Sequence, residues 1–306
     1  MLAVVTGTCA SAACGGWGGE LDTAVHVRLQ LPVDSTATLY VDSARNFLIG
    51  RPGRLTRVRP GSPPVALFSA GSAVPEIIGE MGGVLFVRQG DRVLRIDYGS
   101  GVAAVREDVG GSVFARDPRG RWIIQGAGSG AVFGHSPESL EPVWGWASLG
   151  KPTTGLAISA EGARIYQAVP GEVIVRDIQT GRTLGRLEIP APVHDLAIGP
   201  AGRIYGIAGT GERATVLAID MANGDPRVRW RRNLRELDLD GSATLRLSPA
   251  RFRLVLFTPG QKGGLRVLDT ETGESIGTLG PGPIDARFAP DGELFLLYRE
   301  SIRVVD

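Results

Sequence analysis

Beyond its carboxylates, the sequence offers three histidines (His26, His135 and His194) and two cysteines (Cys9 and Cys14) for metal ligation or covalent catalysis. A Ser-His-Asp system needs a base and its orienting carboxylate converging on a nucleophile. His194 is followed directly by Asp195. Successive strand residues point to opposite faces, so these two form a dyad only where the strand is locally bent. No Gly-x-Ser-x-Gly turn accompanies them. Two cysteines and three scattered histidines do not make a zinc set, and no metal is expected. Gly126-Ala-Gly-Ser-Gly130 and Gly209-Thr-Gly211 are glycine-rich. A phosphate cradle also needs a helix N-terminus behind it, and both stretches fit hairpin turns better. On these grounds no catalytic residue and no cofactor is expected.

Arginine is the chemistry-bearing residue present in quantity. Lysine occurs only at Lys151 and Lys262, so nearly all positive charge is guanidinium. Arg51 follows Phe47-Leu-Ile-Gly50, Arg88 follows Leu85-Phe-Val87, and Arg299 follows Leu296-Leu-Tyr298, each closing an apolar run. Arg246 and Arg287 stand two residues before a recurring turn. A guanidinium grips carboxylate or phosphate through parallel hydrogen bonds. These five, with His194, are the candidate residues for a small anionic ligand or an acidic protein partner. Asp91, Asp285 and Glu300 lie nearby in the sequence and compete as internal ion-pair partners. The formal net charge of +1 gives no global argument for nucleic acid, which calls for a basic surface.

The elements that must position these residues recur about every forty residues, a period that signals a β-propeller. The clearest marker is an acidic residue ending an apolar strand, with glycine four residues later. It occurs as Asp97-Tyr-Gly-Ser-Gly101, Asp177-Ile-Gln-Thr-Gly181, Asp220-Met-Ala-Asn-Gly224 and Asp269-Thr-Glu-Thr-Gly273. Each offers one carboxylate, whereas calcium takes about six to eight oxygens, so turns explain them better. A second marker is the turn Asp117-Pro-Arg-Gly120, repeated as Gly199-Pro-Ala-Gly202, Ser248-Pro-Ala-Arg251 and Ala289-Pro-Asp-Gly292. These anchors place blades at 36–70, 73–109, 111–149, 153–189, 192–232 and 242–279, with a seventh from 283.

The seventh supplies only three strands. The alternating segment 23–31 has the place and pattern of the missing fourth, and pairing it with 302–305 would remove two open sheet edges. The expected fold is therefore all-β: a seven-bladed β-propeller of four-stranded antiparallel blades, closed by an N-terminal strand. A six-bladed ring would require 111–149 to be an insertion. Trp144-Gly-Trp146 is expected on an outer strand, packed between blades.

Residues 1–22 read differently from the single propeller domain at 23–306. Met1 to Ala13 are apolar and small, followed by Cys14-Gly-Gly-Trp-Gly-Gly. The run resembles the back half of a secretory signal, and Ala12-Ala13-Cys14 resembles the end of a bacterial lipobox. Cys14 would carry the lipid and the glycines would form a tether. Ser11 stands where the lipobox usually has leucine, and cleavage after Ala12 is the alternative. The expectation is export to the periplasm or outer envelope face, with a lipid anchor.

On the two turn motifs, residues 23–306 resemble the WD40-like or YVTN-type seven-bladed propellers, closer to the bacterial, often secreted branch. The chain has neither the Trp-Asp dipeptide nor the Gly-His pair of true WD40 repeats. The resemblance implies a rigid, non-enzymatic scaffold that binds a protein or ligand, as a monomer or a subunit of an envelope complex. Related propellers also include lactonases and quinone-cofactor dehydrogenases. The alternative is thus a hydrolase or dehydrogenase working in the central channel.

Overall fold

Runs of β-branched and aromatic residues, cut by glycine turns, fold into seven four-stranded antiparallel sheets with almost no helix. The computed structural model describes residues 25–33, 35–199, 202–222, 225–239, 242–248, 253–259, 264–280 and 282–305. Sheet one holds Thr38–Val41, Phe47–Arg51, Arg54–Val58 and Val65–Ser69. Sheet two holds Glu76–Met81, Val84–Gln89, Arg92–Asp97 and Gly101–Arg106. Sheet three holds Val113–Arg116, Ile123–Gly126, Val132–His135 and Pro142–Trp146. It is a full blade, so the six-bladed alternative falls. Sheet four holds Gly155–Ile158, Arg164–Val169, Glu172–Asp177 and Thr183–Glu188. Sheet five holds Val193–Ile198, Ile204–Ala208, Thr215–Ala222 and Asp225–Asn233. Sheet six holds Thr244–Leu247, Arg253–Phe257, Leu265–Asp269 and Ser275–Leu279.

Sheet seven is built from both parts of the sequence. Asp285–Phe288, Leu294–Leu297 and Ser301–Val305 are followed in the sheet by Val25–Gln30. The closing pair runs antiparallel from Val25 opposite Val305 to Gln30 opposite Ser301, with a register shift between Val27 and Leu29. The pairing of the N-terminal strand with the last strand matches the sequence expectation. The fold is a seven-bladed β-propeller.

The chain divides into two compact units. Met1–Pro75 with Leu237–Asp306 carries sheets one, six and seven, and Glu76–Glu236 carries sheets two to five. Within each unit the first strands of neighbouring sheets pack side by side. Second and third strands are sandwiched between blades and so are apolar on both faces. Between sheets six and seven lie Val255, Phe257, Leu265, Val267, Leu294 and Leu296, all buried. Each such side chain contributes about 1.5–3 kcal/mol by leaving water. Fourth strands face solvent on one side, and large exposed apolar residues such as Val65, Val105 and Val143 lie there.

The turn chemistry follows the sequence marker in three of four cases. Asp97 Oδ1 accepts from Gly99 N and Ser100 N, Asp177 Oδ1 from Gln179 N and Thr180 N, and Asp269 Oδ1 from Glu271 N and Thr272 N. Gly101, Gly181 and Gly273 close these turns at φ of 86°, 70° and 70°, a region glycine enters without penalty. Asp220 departs from the pattern. The strand continues to Ala222, so Asp220 pairs across the sheet with Arg227 instead of opening a turn. Its carboxylate takes Arg203 Nε at 2.5 Å and Arg229 Nη1 at 3.1 Å.

Candidate functional site

The inner-strand arginines are internal ion-pair partners. Asp285, buried at the first position of sheet seven's inner strand, lies 3.7 Å from Arg246 Nη2 and 3.5 Å from Arg287 Nε. The same carboxylate accepts from Leu39 N at 2.9 Å and Ala286 N at 2.8 Å. One acid therefore ties together the inner strands of sheets six, seven and one. Arg246 also donates to Leu245 O and lies 5.9 Å from the Phe257 ring centroid. These contacts give both guanidinia a structural task.

Arg51 and Arg299 each bond the segment that leaves the closing strand. Arg51 ends the second strand of sheet one, and its Nη2 donates to Pro32 O at 2.6 Å. Arg299 sits in the hairpin after Leu294–Leu297, where its carbonyl accepts from Val33 N at 2.7 Å. Its side chain is exposed and makes no hydrogen bond or ion pair with any described residue. Glu300, expected as a neutralising neighbour, does not pair with it.

Beside Arg299 opens a cavity of about 750 Å³, within the size range of ligand pockets. Gln30, Leu31 and Pro32 form one wall, Gly282 and Ile284 another, and Tyr298 to Ser301 with Arg303 a third. Arg303 was not singled out in the sequence. Its guanidinium lies 4.5 Å from the Tyr298 ring centroid, and its Nε donates to Ser301 Oγ at 3.3 Å. Burial pushes the Tyr298 phenol up, and the Arg303 charge pulls partly back. The signal that could have revealed Arg303 is its strand: Arg303 sits opposite Leu296 in the antiparallel register, on the face that buries Val305 against sheet six. An arginine there must stack on something or reach an opening.

In the other unit, Arg88 Nη1 lies 3.5 Å from Glu76 Oε2, its partner in the antiparallel register. Arg88 Nε also donates to Gly90 O at 3.3 Å. Its ion-pair partner is thus Glu76, not Asp91. Both border a smaller cavity of about 280 Å³ with Val113, Gly155 and Asp195. The His194–Asp195 strand is bent: its register shifts between His194 and Ala197, and Asp195 has φ of 53°. The bend removes the simple alternation that would set the two residues apart. Burial pushes the His194 imidazole below 6.5, and the Asp195 charge only partly opposes this.

His135 is structural. Its Nδ1 lies 3.1 Å from Leu140 O and its Nε2 2.8 Å from the Gln125 side-chain amide, which reaches Ser112 Oγ. Burial, with the Arg106 charge second, holds its pKa below 6.5. Trp144 and Trp146 stack with centroids 4.9 Å apart, and Trp122 meets Trp144 edge-on at 5.7 Å. All three pack against the core between sheets three and four, as the sequence suggested for Trp144 and Trp146. Cys14, Cys9 and the lipobox-like segment lie outside the described residues. Among the described residues no three His, Cys, Asp or Glu side chains are placed to hold a metal ion, and no helix is long and apolar enough to cross a membrane.

No family model and no curated protein matches the sequence. Solved structures do resemble the fold. The β-propeller domain of Cps50 (Swd1) from Myceliophteria thermophila superposes with a TM-score of 0.71 at 11% identity, covering 92% of this chain and 99% of that one. A chain in the crystal structure of the mitotic checkpoint complex gives 0.69 at 13% identity, covering 97% and 96%. Identities this low establish a common fold and carry no activity with them.

Proposed function

We propose that this chain is a non-enzymatic β-propeller platform, similar to WD40-type interaction domains, that holds a protein partner through an acidic group. The observation carrying this reading is the difference between Arg299 and the other candidate cations. Arg51, Arg88, Arg246 and Arg287 have contacts within the fold, whereas the Arg299 side chain is exposed, without a partner among the described residues and at the rim of a cavity. A free guanidinium beside a concave surface is the arrangement that recognises a carboxylate or phosphate on another molecule. The chain assembled in the mitotic checkpoint complex is a precedent for the fold in a protein assembly.

The location belongs to the same reading. Ala12-Ala13-Cys14 and the following glycines suit export and lipid attachment at Cys14, which would hold the propeller on an envelope membrane by a flexible tether. The bacterial YVTN-type branch is the corresponding family assignment. The test is a pull-down from envelope membranes with the wild-type chain, with Cys14→Ser and with Arg299→Glu. The expected result is a partner captured by wild type and lost on charge reversal, with Cys14→Ser moving the propeller from membrane to soluble fraction. A partner retained by Arg299→Glu would refute the role of Arg299, and Cys14→Ser remaining membrane-bound would refute the anchor.

A further inference from the structure

We infer that the cavity of about 750 Å³ on sheet seven is a peptide-binding pocket that seats one carboxylate of the partner between Arg299 and Arg303. This deepens the platform reading above and rests on it. The two arginines have different tasks. Arg303 is positioned before any ligand arrives: its Cζ lies over the Tyr298 ring and its Nε donates to Ser301 Oγ, leaving the two Nη groups for an incoming oxygen. Neither Nη has a partner among the described residues. A guanidinium already oriented by stacking gives up little conformational freedom on binding. Arg299 at the exposed rim is the mobile second donor, suited to attracting the anion and closing over it.

The charge of the lining sets the class of anion. Arg299 and Arg303 contribute two positive charges, and Glu300 on the same border returns one negative charge. The net single charge matches a monoanionic carboxylate, while a dianionic phosphate would meet the repulsion of Glu300. Leu31, Pro32 and Ile284 supply apolar wall for side chains flanking the acid. The cavity is far larger than a lone carboxylic acid needs, so the acid is read as part of a peptide.

The test uses the full chain against arrays of random octapeptides. One array has free C-termini and no internal acids. A second is amidated with one Asp or Glu, a third is amidated with one phosphoserine, and a fourth is amidated and neutral. Binding is expected on one or both carboxylate arrays above the neutral baseline, and comparing those two separates a C-terminal from a side-chain source. Arg299→Ala and Arg303→Gln should each weaken the selected peptides about ten-fold or more, with melting temperature checked for both. Arg299→Ala is the decisive variant, because an exposed side chain with no partner among the described residues can be removed without disturbing the fold.

Preference for phosphoserine or neutral peptides would overturn the pocket, as would undiminished carboxylate binding by the double variant Arg299→Ala with Arg303→Gln. The membrane pull-down separates this failure from that of the platform. A partner still captured by the double variant removes the pocket and the role of Arg299, and leaves only partner binding by the propeller standing. No peptide and no partner captured by wild type removes both.

Discussion

Replacing Asp285 by alanine tests whether the arginines of the inner strands are structural. The carboxylate is almost fully buried, with 6% side-chain exposure, while Arg246 and Arg287 keep 19% and 24%. Removing one member of a buried ion pair costs about 3–5 kcal/mol, since the remaining charge is left uncompensated. The partial hydration of both guanidinia, and separations of 3.7 and 3.5 Å, place this site at the low end of that range. Loss of the acceptor for Leu39 N adds about 1 kcal/mol, because that buried amide gives its hydrogen bond to Asp285 Oδ2. The expected destabilisation is therefore about 4 kcal/mol.

For 306 residues, an unfolding entropy of about 2.1 cal/mol/K per residue converts this to a drop of about 6 °C in melting temperature. If the unit holding sheets one, six and seven unfolds alone, the drop is about twice that. Calorimetry reads both the size of the shift and the number of transitions. A triple variant, Asp285→Leu with Arg246→Met and Arg287→Leu, removes all three charges together and should be less damaging than Asp285→Ala alone. An Asp285→Ala protein within about 0.5 kcal/mol of wild type, the range of an inert surface change, would refute the assignment and return Arg246 and Arg287 to the pool of ligand-binding candidates.

Gly134→Ala should destabilise by about 1–3 kcal/mol and shift tryptophan fluorescence, because a Cβ there would lie 2.1 Å from a Trp144 ring atom; an unchanged spectrum and melt would contradict the packing. Stability should fall as pH drops below 6.5. The His135 and His194 pKa values are lowered in the fold, so the unfolded chain takes up protons that the native state refuses over the window between the unfolded and folded values. Melting curves from pH 7.5 to 5 check this, and His135→Gln should flatten the slope. A further loss is expected below about pH 4 from Asp97, Asp177 and Asp269. Hydrogen bonds from Gly99 N, the Thr180 hydroxyl and Thr272 N, respectively, lead in holding these carboxylates below their usual value.

Blade number and blade limits were legible because their markers are local, and the closing strand because the last repeat lacked a fourth strand. A turn aspartate binds backbone amides two and three residues on, and alternation is a property of one strand. Asp220 misled for the same reason. Its Asp-x-x-x-Gly spacing is that of a turn, yet Arg203 and Arg229 hold it inside a long hairpin, and only the fold brings Arg203 to it. The candidate site was legible as a set of arginines and not as a division between paired and free ones. Arg246 is 39 residues from Asp285 in sequence, and Leu39, whose amide shares that carboxylate, is 246 residues away. Spacing within one repeat cannot report such partners. Arg303 escaped because it lies inside a strand, where position alone does not distinguish a stacked cavity residue from a solvated one.

The cavity and the closure of sheet seven depend on each other. One wall is Gln30 to Pro32, which leaves the N-terminal strand, and another is the hairpin from Tyr298 with Arg303 on its second strand. Leu31 N donates to Glu300 O and Val33 N to Arg299 O, so two backbone hydrogen bonds join wall to wall beyond the closing strand itself. Arg51 adds a third tie through Pro32 O. The pocket thus exists only while Val25–Gln30 is paired with Ser301–Val305, and its lining residues report on that pairing. A substitution that frees the closing strand would abolish binding as completely as removal of Arg299, though by a different route. The two are separable because Arg299→Ala should leave amide-exchange protection of Leu31 and Val33 intact, since the Arg299 carbonyl that holds Val33 N belongs to the backbone and survives the substitution.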